Sequence, residues 1–233
     1  MEEIIKTIKR KKPLHHLDDT YIKMILTKYI TTKTNTKNPK AKTFREAVKK
    51  TRNDLNVMYG QYWKKEHTST QEREICIKEL YQKILPLDTH SILDIACGLN
   101  PLTYKYISQR PFFYCNELTE PDCNHIKEIC KKEKIKGKVL KGDATRIKLP
   151  KTEVTFLFKI LEIIDRTGHR NAKILFKKIQ SPTIIVSFST RTLKNQPMKQ
   201  PRRFWFETFL KEEKRMYTIH KEYNEIFYIV REI

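Results

Sequence analysis

From Ser91 to the end of the chain, short apolar runs alternate with stretches of helical periodicity. The candidate strands are Ser91–Ala96, Phe112–Asn116, Lys138–Lys141, Val154–Phe158, Ile184–Phe188, Met216–His220 and Ile226–Val230. Strands that alternate with helices are typical of a parallel, doubly wound sheet. Only five residues separate the last two strands, too few for a crossover helix, so these strands are predicted to be antiparallel. The pattern predicts an α/β fold with five parallel strands and a C-terminal antiparallel hairpin.

The first 70 residues have a different pattern, with apolar residues at helical spacing and no strand signal. One stripe is formed by Leu14, Ile22, Ile25, Leu26 and Tyr29, and another by Phe44, Val48, Leu55, Met58 and Tyr62. Asp18 is a candidate N-cap for the first of these helices. We therefore predict a small helical N-terminal domain over residues 1–70 and an α/β domain over residues 71–233.

A capping-box pattern lies at the boundary between these two segments. Ser69 and Glu72 have the Ser-x-x-Glu spacing that opens a helix. The apolar residues that follow predict one continuous helix, with a buried face formed by Cys76, Leu80, Tyr81 and Ile84.

The chain is strongly basic, and its charge is concentrated near the N-terminus. Its net charge is +21, and residues 1–70 hold 17 Lys and Arg against 7 Asp and Glu. An excess of this size favours a polyanionic partner, nucleic acid above all, although a biased genome or adaptation to heat also produces Lys-rich chains. Two basic clusters are candidates for RNA contact: Lys9, Arg10, Lys11 and Lys12, and the acid-free run that contains Arg191, Lys194, Lys199, Arg202 and Arg203.

The cysteines and the hydropathy indicate a cytoplasmic protein. The five cysteines are odd in number and form no Cys-x-x-Cys pair, which favours free thiols in a reducing compartment and predicts no metal site. The sequence contains no apolar run of about 18 residues and no signal peptide, so we expect no membrane association.

The sequence around the first strand, Ser91–Leu102, predicts a ligand-binding turn. An apolar strand carries Asp94 and is followed by the small residues Ala96, Cys97 and Gly98. In open α/β sheets, ligands bind beyond the carboxyl ends of the strands. A dinucleotide turn would need the Gly-x-Gly-x-x-Gly pattern, which is absent, so NAD and FAD are disfavoured. The turn suits a ligand without phosphates such as S-adenosylmethionine (SAM).

The ends of the next two strands carry further acidic residues. Glu117 follows Gly98 by 19 residues and is a candidate ligand of ribose hydroxyls. Asp143, in Lys141-Gly-Asp-Ala144, is a candidate acceptor for the adenine amino group. With Asp94, three successive strands then carry a carboxylate at or near their carboxyl ends, which favours an adenosyl cofactor over a chance arrangement.

The sequence resembles the aminoglycoside-resistance 16S ribosomal RNA (guanine-N7) methyltransferases. The resemblance covers roughly residues 60–233, and residues 1–60 are similar only in being basic and helical, as the family's N-terminal RNA-binding domain is. The matching stretches are His67–Arg73, Leu93–Leu102, Leu157–Leu161 and Ser187–Leu193.

The resemblance implies roles for the cofactor-binding residues. Asp94, Ala96 and Gly98 would belong to the SAM loop, and Arg73 would pair with the cofactor carboxylate. Asp143 would be the carboxylate of the adenine site. The fold implied is the Rossmann-like sheet of SAM-dependent methyltransferases.

On the methyl-acceptor side, the resemblance assigns catalytic positions to Lys159 and Leu161, at the end of the fourth strand. Ser187 and Arg191 would lie at the mouth where RNA enters. A base drawn from its stack could rest on an aromatic ring such as Phe188 or Trp205, although core packing was the preferred interpretation for both.

Two departures from the family pattern bear on these roles. The family has aspartate where this chain has Asn116, so either Asn116 or the adjacent Glu117 would bind the ribose, and we favour Glu117. The family also has glycines after its Ser-Phe-Pro-Thr-Arg-Ser-Leu motif, where this chain continues with Lys194–Pro197. The conformation of that loop and the identity of the methylated base therefore stay open.

The leading hypothesis is SAM-dependent methylation of 16S rRNA at a guanine N7 near the decoding site of the small ribosomal subunit. Such a modification could confer aminoglycoside resistance. The alternatives are methylation of another base or RNA, such as adenine N1 or a tRNA, and a non-catalytic RNA-binding or ribosome-assembly factor with the same fold. The protein is expected to be monomeric, and neutralising Arg202 and Arg203 is expected to weaken subunit binding without changing SAM affinity.

Overall fold

A computed structural model describes residues 1–59, 69–164, 168–192 and 195–232. The chain divides into two compact units, one comprising Met1–Glu66 with Thr119–Pro121 and the other His67–Leu118 with Asp122–Ile233. Within the described ranges, no helix is both long and apolar enough to cross a membrane.

Among its described residues, the first unit contains three α-helices and a short 3-10 helix. These are α1 (Glu2–Lys9), the 3-10 helix Lys12–Leu14, α2 (Asp19–Leu26) and α3 (Lys42–Met58). The predicted stripes supply its core, which includes Leu14, Ile22, Ile25, Leu26, Phe44, Val48 and Leu55. Asp18 occupies the N-cap position of α2, but its side chain makes no capping hydrogen bond. Tyr62 lies outside the described residues.

The second unit is built on a seven-stranded sheet in the order β3-β2-β1-β4-β5-β7-β6. Its strands are β1 (Ser91–Ile95), β2 (Phe112–Glu117), β3 (Gly137–Lys141), β4 (Val154–Phe158), β5 (Thr183–Ser189), β6 (Met216–Glu222) and β7 (Glu225–Arg231). The first five are parallel, and β7 pairs antiparallel with both β5 and β6. The predicted α/β sheet with a C-terminal hairpin is confirmed.

Helices and buried apolar residues cover both faces of this sheet. The α-helices are α4 (Ser69–Arg73), α5 (Ile77–Ile84), α6 (Glu120–Lys132), α7 (Leu161–Ile164), α8 (Arg170–Lys178) and α9 (Phe204–Glu212), and Asn100–Tyr106 is a 3-10 helix. Alternate residues of β1 enter two separate core clusters, with Ile92 in one and Leu93 and Ile95 in the other. This alternation is what a strand buried on both faces requires.

The prediction of one continuous helix after Ser69 is wrong. The helix stops at Arg73, and α5 begins after its N-cap, Cys76. Between them, the N–H groups of Glu74 and Cys76 donate to carbonyls three residues earlier, so the helical ladder does not continue. The interruption exposes Ile75, while Arg73 and the apolar face of α5 remain buried.

Candidate active site

The turn after β1 lies at the carboxyl edge of the sheet and has an unusual backbone. Ala96 and Gly98 both adopt left-handed conformations, with φ of 53° and 52°. The Gly98 N–H donates to Oε1 of Glu117 at 2.7 Å, and the Cys97 N–H donates to the carbonyl of Asn116 at 3.2 Å. A Cβ added to Gly98 would meet no atom within 4 Å, so the turn is open on that side. It is therefore anchored to β2 and accessible to a ligand.

Asp94 supports this turn from inside the protein. Its carboxylate is buried, and Oδ2 accepts a hydrogen bond of 2.7 Å from the Asn100 side chain. Burial raises the pKa of Asp94 to about 7, against the opposing influence of Asn100 and Arg73. Asp94 thus contacts the residues that follow this turn through Asn100, and its part in a SAM loop stays a prediction.

Asn116 and Glu117 have different surroundings at the end of β2. The Asn116 side-chain amide is buried and donates to the carbonyls of Leu140 and Gly142, at 3.0 Å each. The half-buried Glu117 carboxylate lies at the surface turn and accepts from the Gly98 N–H. Burial raises the pKa of Glu117 to about 7, although the N–H groups of Gly98 and Leu118 oppose the shift.

Asp143 is brought to the same edge by the turn after β3. The Gly142 N–H donates to the Glu117 carbonyl at 2.9 Å, which connects this turn to the end of β2. Oδ1 of Asp143 accepts from the N–H and hydroxyl of Thr145 at 2.9 and 2.7 Å, and Oδ2 lies 3.8 Å from Nε of Arg146. Hydrogen bonds therefore join the three predicted strand ends into one surface.

A buried ionic cluster lies further along the same edge, around Glu225 at the start of β7. Its Oε1 is 2.9 Å from Nη1 of Arg73 and 3.1 Å from Nζ of Lys159, while Oε2 accepts from the Ser187 hydroxyl at 2.6 Å. Burial would raise the pKa of Glu225, but Arg73, Lys159 and Ser187 together hold it below its ordinary value. Oε2 of Glu72 also lies 3.4 Å from the Lys159 ammonium.

Arg73 is held by several groups inside this cluster. Besides Glu225, its guanidinium contacts Oδ1 of Asn100 at 3.4 Å and lies 4.9 Å from the centre of the Phe158 ring. Its Nε is buried and has no hydrogen-bond partner among the described residues. The predicted pairing with a cofactor carboxylate remains a prediction, and the N–H of Nε is left without a protein acceptor.

Sequence reasoning missed Glu225. The predicted strand began at Ile226, which left Glu225 in the hairpin loop. A lone acidic residue before an apolar run is common, so Glu225 does not stand out in the sequence. The sequence also does not show which strand pairs with β7. Pairing with β5, in which Glu225 lies opposite Ser189, brings the start of β7 to the carboxyl edge.

Three assigned contacts conflict with the burial of the side chains concerned. Leu161 is fully buried in the core, so its side chain is not exposed to a methyl group. Phe188 is buried in the same core, which agrees with the preferred interpretation of core packing. Ser187 is equally buried and its hydroxyl is bonded to Glu225, so it cannot contact RNA. Arg203 is 8% exposed and bonds to Glu162 and to the carbonyl of Ser189, which makes it a structural residue.

The remaining predicted RNA contacts are more accessible. Arg191 is half-buried and bonds to Asn224 and to the Asn195 carbonyl, Lys199 is exposed, and Arg202 forms a surface pair with Glu207. Lys194 lies outside the described residues.

In the N-terminal unit, Arg10, Lys11 and Lys12 are exposed. Lys9 forms an ion pair of 2.7 Å with Asp19.

Trp205 is half-buried and has an aromatic neighbour. The ring of His169 stacks on it in parallel, with centroids 3.9 Å apart. Stacking of a flipped base on Trp205 would therefore require the opposite face of its ring or displacement of His169, and Phe188 and Phe206 also contact Trp205 edge to face.

Comparisons with known proteins relate this site to ribosomal RNA methyltransferases. Residues 60–222 match the family model described as ribosomal RNA methyltransferase (FmrO). A 16S rRNA (guanine(1405)-N(7))-methyltransferase from Frankia casuarinae is 25% identical over 173 residues, covering 71% of this chain and 61% of that protein. Its namesake from Serratia marcescens is 28% identical over 147 residues, covering 60% and 57%. The chain thus spans less than two thirds of these relatives.

The structural comparison extends over the whole chain. The crystal structure of 16S rRNA methyltransferase RmtF in complex with S-adenosyl-L-homocysteine superposes with a TM-score of 0.79 and 17% sequence identity. The alignment covers 100% of this chain and 98% of RmtF. This likeness confirms the predicted Rossmann-like fold of the SAM-methyltransferase type.

Proposed function

Because the chain belongs to the ribosomal RNA methyltransferase (FmrO) family, we propose that it transfers a methyl group from SAM to N7 of a guanine in 16S rRNA of the small subunit. The observation that carries the proposal is the hydrogen-bonded edge formed by the turn after β1, Glu117 and the turn after β3. This edge has an open turn and two carboxylates, which are groups suited to binding an adenosyl ligand.

The residues at this edge fit the cofactor. Arg73 has a buried, unpartnered Nε, suited to a carboxylate. The turn at Ala96–Gly98 is open above Gly98 and would accommodate the amino acid moiety. We assign the ribose hydroxyls to Glu117, because both donors of the Asn116 amide are committed to backbone carbonyls. Asp143 would accept from the adenine amino group.

The main requirement of this reaction is that the protein orients the two reactants. SAM supplies an electrophilic methyl group on a sulfonium. Guanine N7 carries a lone pair and no proton, so no general base is needed and alignment of the reacting atoms dominates. Lys159 directly follows β4 and is assigned to the acceptor side, and its charge is balanced by Glu225 and Glu72. This balance matters because an uncompensated ammonium would disfavour a nearby sulfonium.

RNA docking is assigned to exposed cations. Arg10, Lys11 and Lys12 on the N-terminal unit and Lys199 and Arg202 on the second unit are positioned for phosphate contacts. Phosphate contacts give salt-dependent affinity with little base specificity. The protein is proposed to act as a cytoplasmic monomer on the small ribosomal subunit near the decoding site.

The test is incubation of purified small subunits with labelled SAM, followed by nucleoside analysis. We expect 7-methylguanosine in 16S rRNA with the wild-type protein and with the surface variant Glu222→Gln, and a strong loss of label with Glu117→Ala. Label confined to adenosine or to tRNA would contradict the proposed substrate. Absence of SAM binding in calorimetry would favour a non-catalytic RNA-binding factor.

A resistance role has its own test. Expression of the protein in a susceptible bacterium is expected to raise the inhibitory concentration of aminoglycosides that bind the decoding site. Unchanged susceptibility, together with methylated 16S rRNA, would indicate a housekeeping modification.

A further inference from the structure

Glu225 carries a buried carboxylate that is contacted by three other elements. Arg73 comes from α4, Lys159 follows β4 directly, and Ser187 belongs to β5. The side chain of Glu225 is 3% exposed, and a carboxylate so far from water is costly unless charges and donors satisfy it. Both carboxylate oxygens of Glu225 have partners: Oε1 contacts Arg73 and Lys159, and Oε2 accepts from Ser187. The carboxylate is therefore held in one position.

The carboxylate keeps two cations side by side. Arg73 and Lys159 approach the same oxygen, Oε1, and no other acid of the described residues is within ion-pair distance of Arg73. The buried Arg73 and the half-buried Lys159 would repel each other without an intervening negative charge. Glu225 is the acid that bridges the two cations, and Glu72 pairs with Lys159 alone among them.

The direction of the Arg73 guanidinium is fixed by two acceptors. Nη1 donates to Glu225 and Nη2 to Oδ1 of Asn100, whose own amide donates to Asp94. The third nitrogen of the guanidinium, Nε, is buried and has no hydrogen-bond partner among the described residues. A buried donor without a partner costs free energy, and a ligand acceptor would remove that cost.

We propose that Glu225 is a positioning residue that fixes the Arg73 guanidinium for the cofactor carboxylate and keeps Lys159 beside it on the acceptor side. This role rests on the proposed function. The geometry supports a glutamate in particular. Glu225 lies opposite Ser189, and Ser187 is two residues along on the same face, so the carboxylate reaches diagonally across the strand pair. Aspartate is one methylene shorter.

The first test is calorimetric titration with S-adenosylhomocysteine. Glu225→Gln keeps the length of the side chain but removes its charge, and we expect affinity to fall by about tenfold or more. Glu222→Gln is the matched control, because Glu222 lies opposite Glu225 in the same hairpin and pairs with Lys83 at the surface. Its affinity is expected to stay within about twofold of wild type.

Binding of a second ligand distinguishes loss of Arg73 positioning from a general disruption of the binding site. 5′-Methylthioadenosine lacks the carboxylate and the amino group, so its affinity is expected to change by less than about threefold in Glu225→Gln. An equal loss for both ligands would overturn the positioning role. Tighter binding of S-adenosylhomocysteine would also overturn it, because Glu225 would then act mainly as a competitor for Arg73. If Glu225→Gln does not fold, Glu225→Asp keeps the charge and is expected to show the same ligand discrimination.

A double-mutant cycle tests whether Glu225 acts through Arg73. Arg73→Met alone is expected to weaken S-adenosylhomocysteine, and adding Glu225→Gln is expected to weaken it no further, because the residue that Glu225 positions is absent. Fully additive losses would overturn the proposal. Wild-type protein that binds no S-adenosylhomocysteine would instead remove the proposed function itself.

Discussion

Cations at the carboxyl edge of the sheet and cations on the N-terminal helices are the same residue types in opposite environments. Arg73 and Arg203 are 5% and 8% exposed, and each bonds to a carboxylate. Arg10 and Lys12 are exposed. The buried arginines are part of the folded structure, so the free energy of folding depends on their ion pairs and on the protonation of the paired carboxylates. Exposure makes the second group available to a polyanion, where its effect is screened by salt.

The largest expected effect comes from removing a buried cation. Arg203→Met would remove the donor to the Ser189 carbonyl and the partner of Glu162, whose side chain is 39% exposed, and the loss of such hydrogen bonds costs about 1–3 kcal/mol. We expect a large decrease in the free energy of unfolding, measured by urea denaturation. Arg202→Met is the neighbouring control, since the Arg202 side chain is 52% exposed and Glu207 keeps its hydrogen bond from the Tyr228 hydroxyl, and its decrease should be smaller. Equal losses would contradict the distinction by burial.

The edge of the sheet is also expected to respond to pH. The pKa of Glu117 is about 7, and a ribose hydroxyl donates best to the ionised carboxylate, so ligand binding favours loss of the proton. Affinity for S-adenosylhomocysteine should therefore rise by up to roughly tenfold between pH 6 and pH 8.

Calorimetry at several pH values checks this dependence. Glu117→Gln is expected to bind more weakly at pH 8 and to lose most of the dependence. A dependence that persists unchanged in this variant would implicate Asp94, whose pKa is also about 7.

The contribution of the N-terminal unit to small-subunit affinity is expected to depend on salt concentration. Neutralising Arg10 and Lys12 together is expected to weaken small-subunit binding several-fold and to reduce the slope of log affinity against log salt by roughly 1.5, because fewer counterions are released. The melting temperature should not change. A matched control removes the exposed Lys148 and Lys151 of the second unit, and an equal change in slope there would mean that the N-terminal cluster has no special part.

The smallest effect is expected at an exposed ion pair. Lys9 and Asp19 are 2.7 Å apart, but their side chains are 31% and 67% exposed. Lys9→Gln should lower the free energy of unfolding by about 0.5 kcal/mol or less, since surface pairs contribute little. A loss comparable to that of Arg203→Met, in the same denaturation experiment, would show that exposure does not separate the two groups.

Much of the fold and part of the site were predictable from the sequence. All seven predicted strands occur within two residues of their predicted ends, because apolar runs bounded by polar turns encode strands locally. The turn at Gly98 and the carboxylates Glu117 and Asp143 were also found. Each lies at the end of its own strand, and parallel strands bring their carboxyl ends to one edge.

Tertiary structure alone decided which polar side chains became buried. Arg203 and Ser187 have the sequence surroundings of surface residues, yet both are enclosed by contacts with distant elements. Glu225 lies at the carboxyl edge of the parallel strands because β7 pairs antiparallel with β5, a pairing that joins residues about 40 positions apart. Local sequence determines which segments become strands, turns and basic helices. Pairing between distant segments determines which charged side chains are buried, and therefore which residues form the hydrogen bonds and ion pairs around the candidate site.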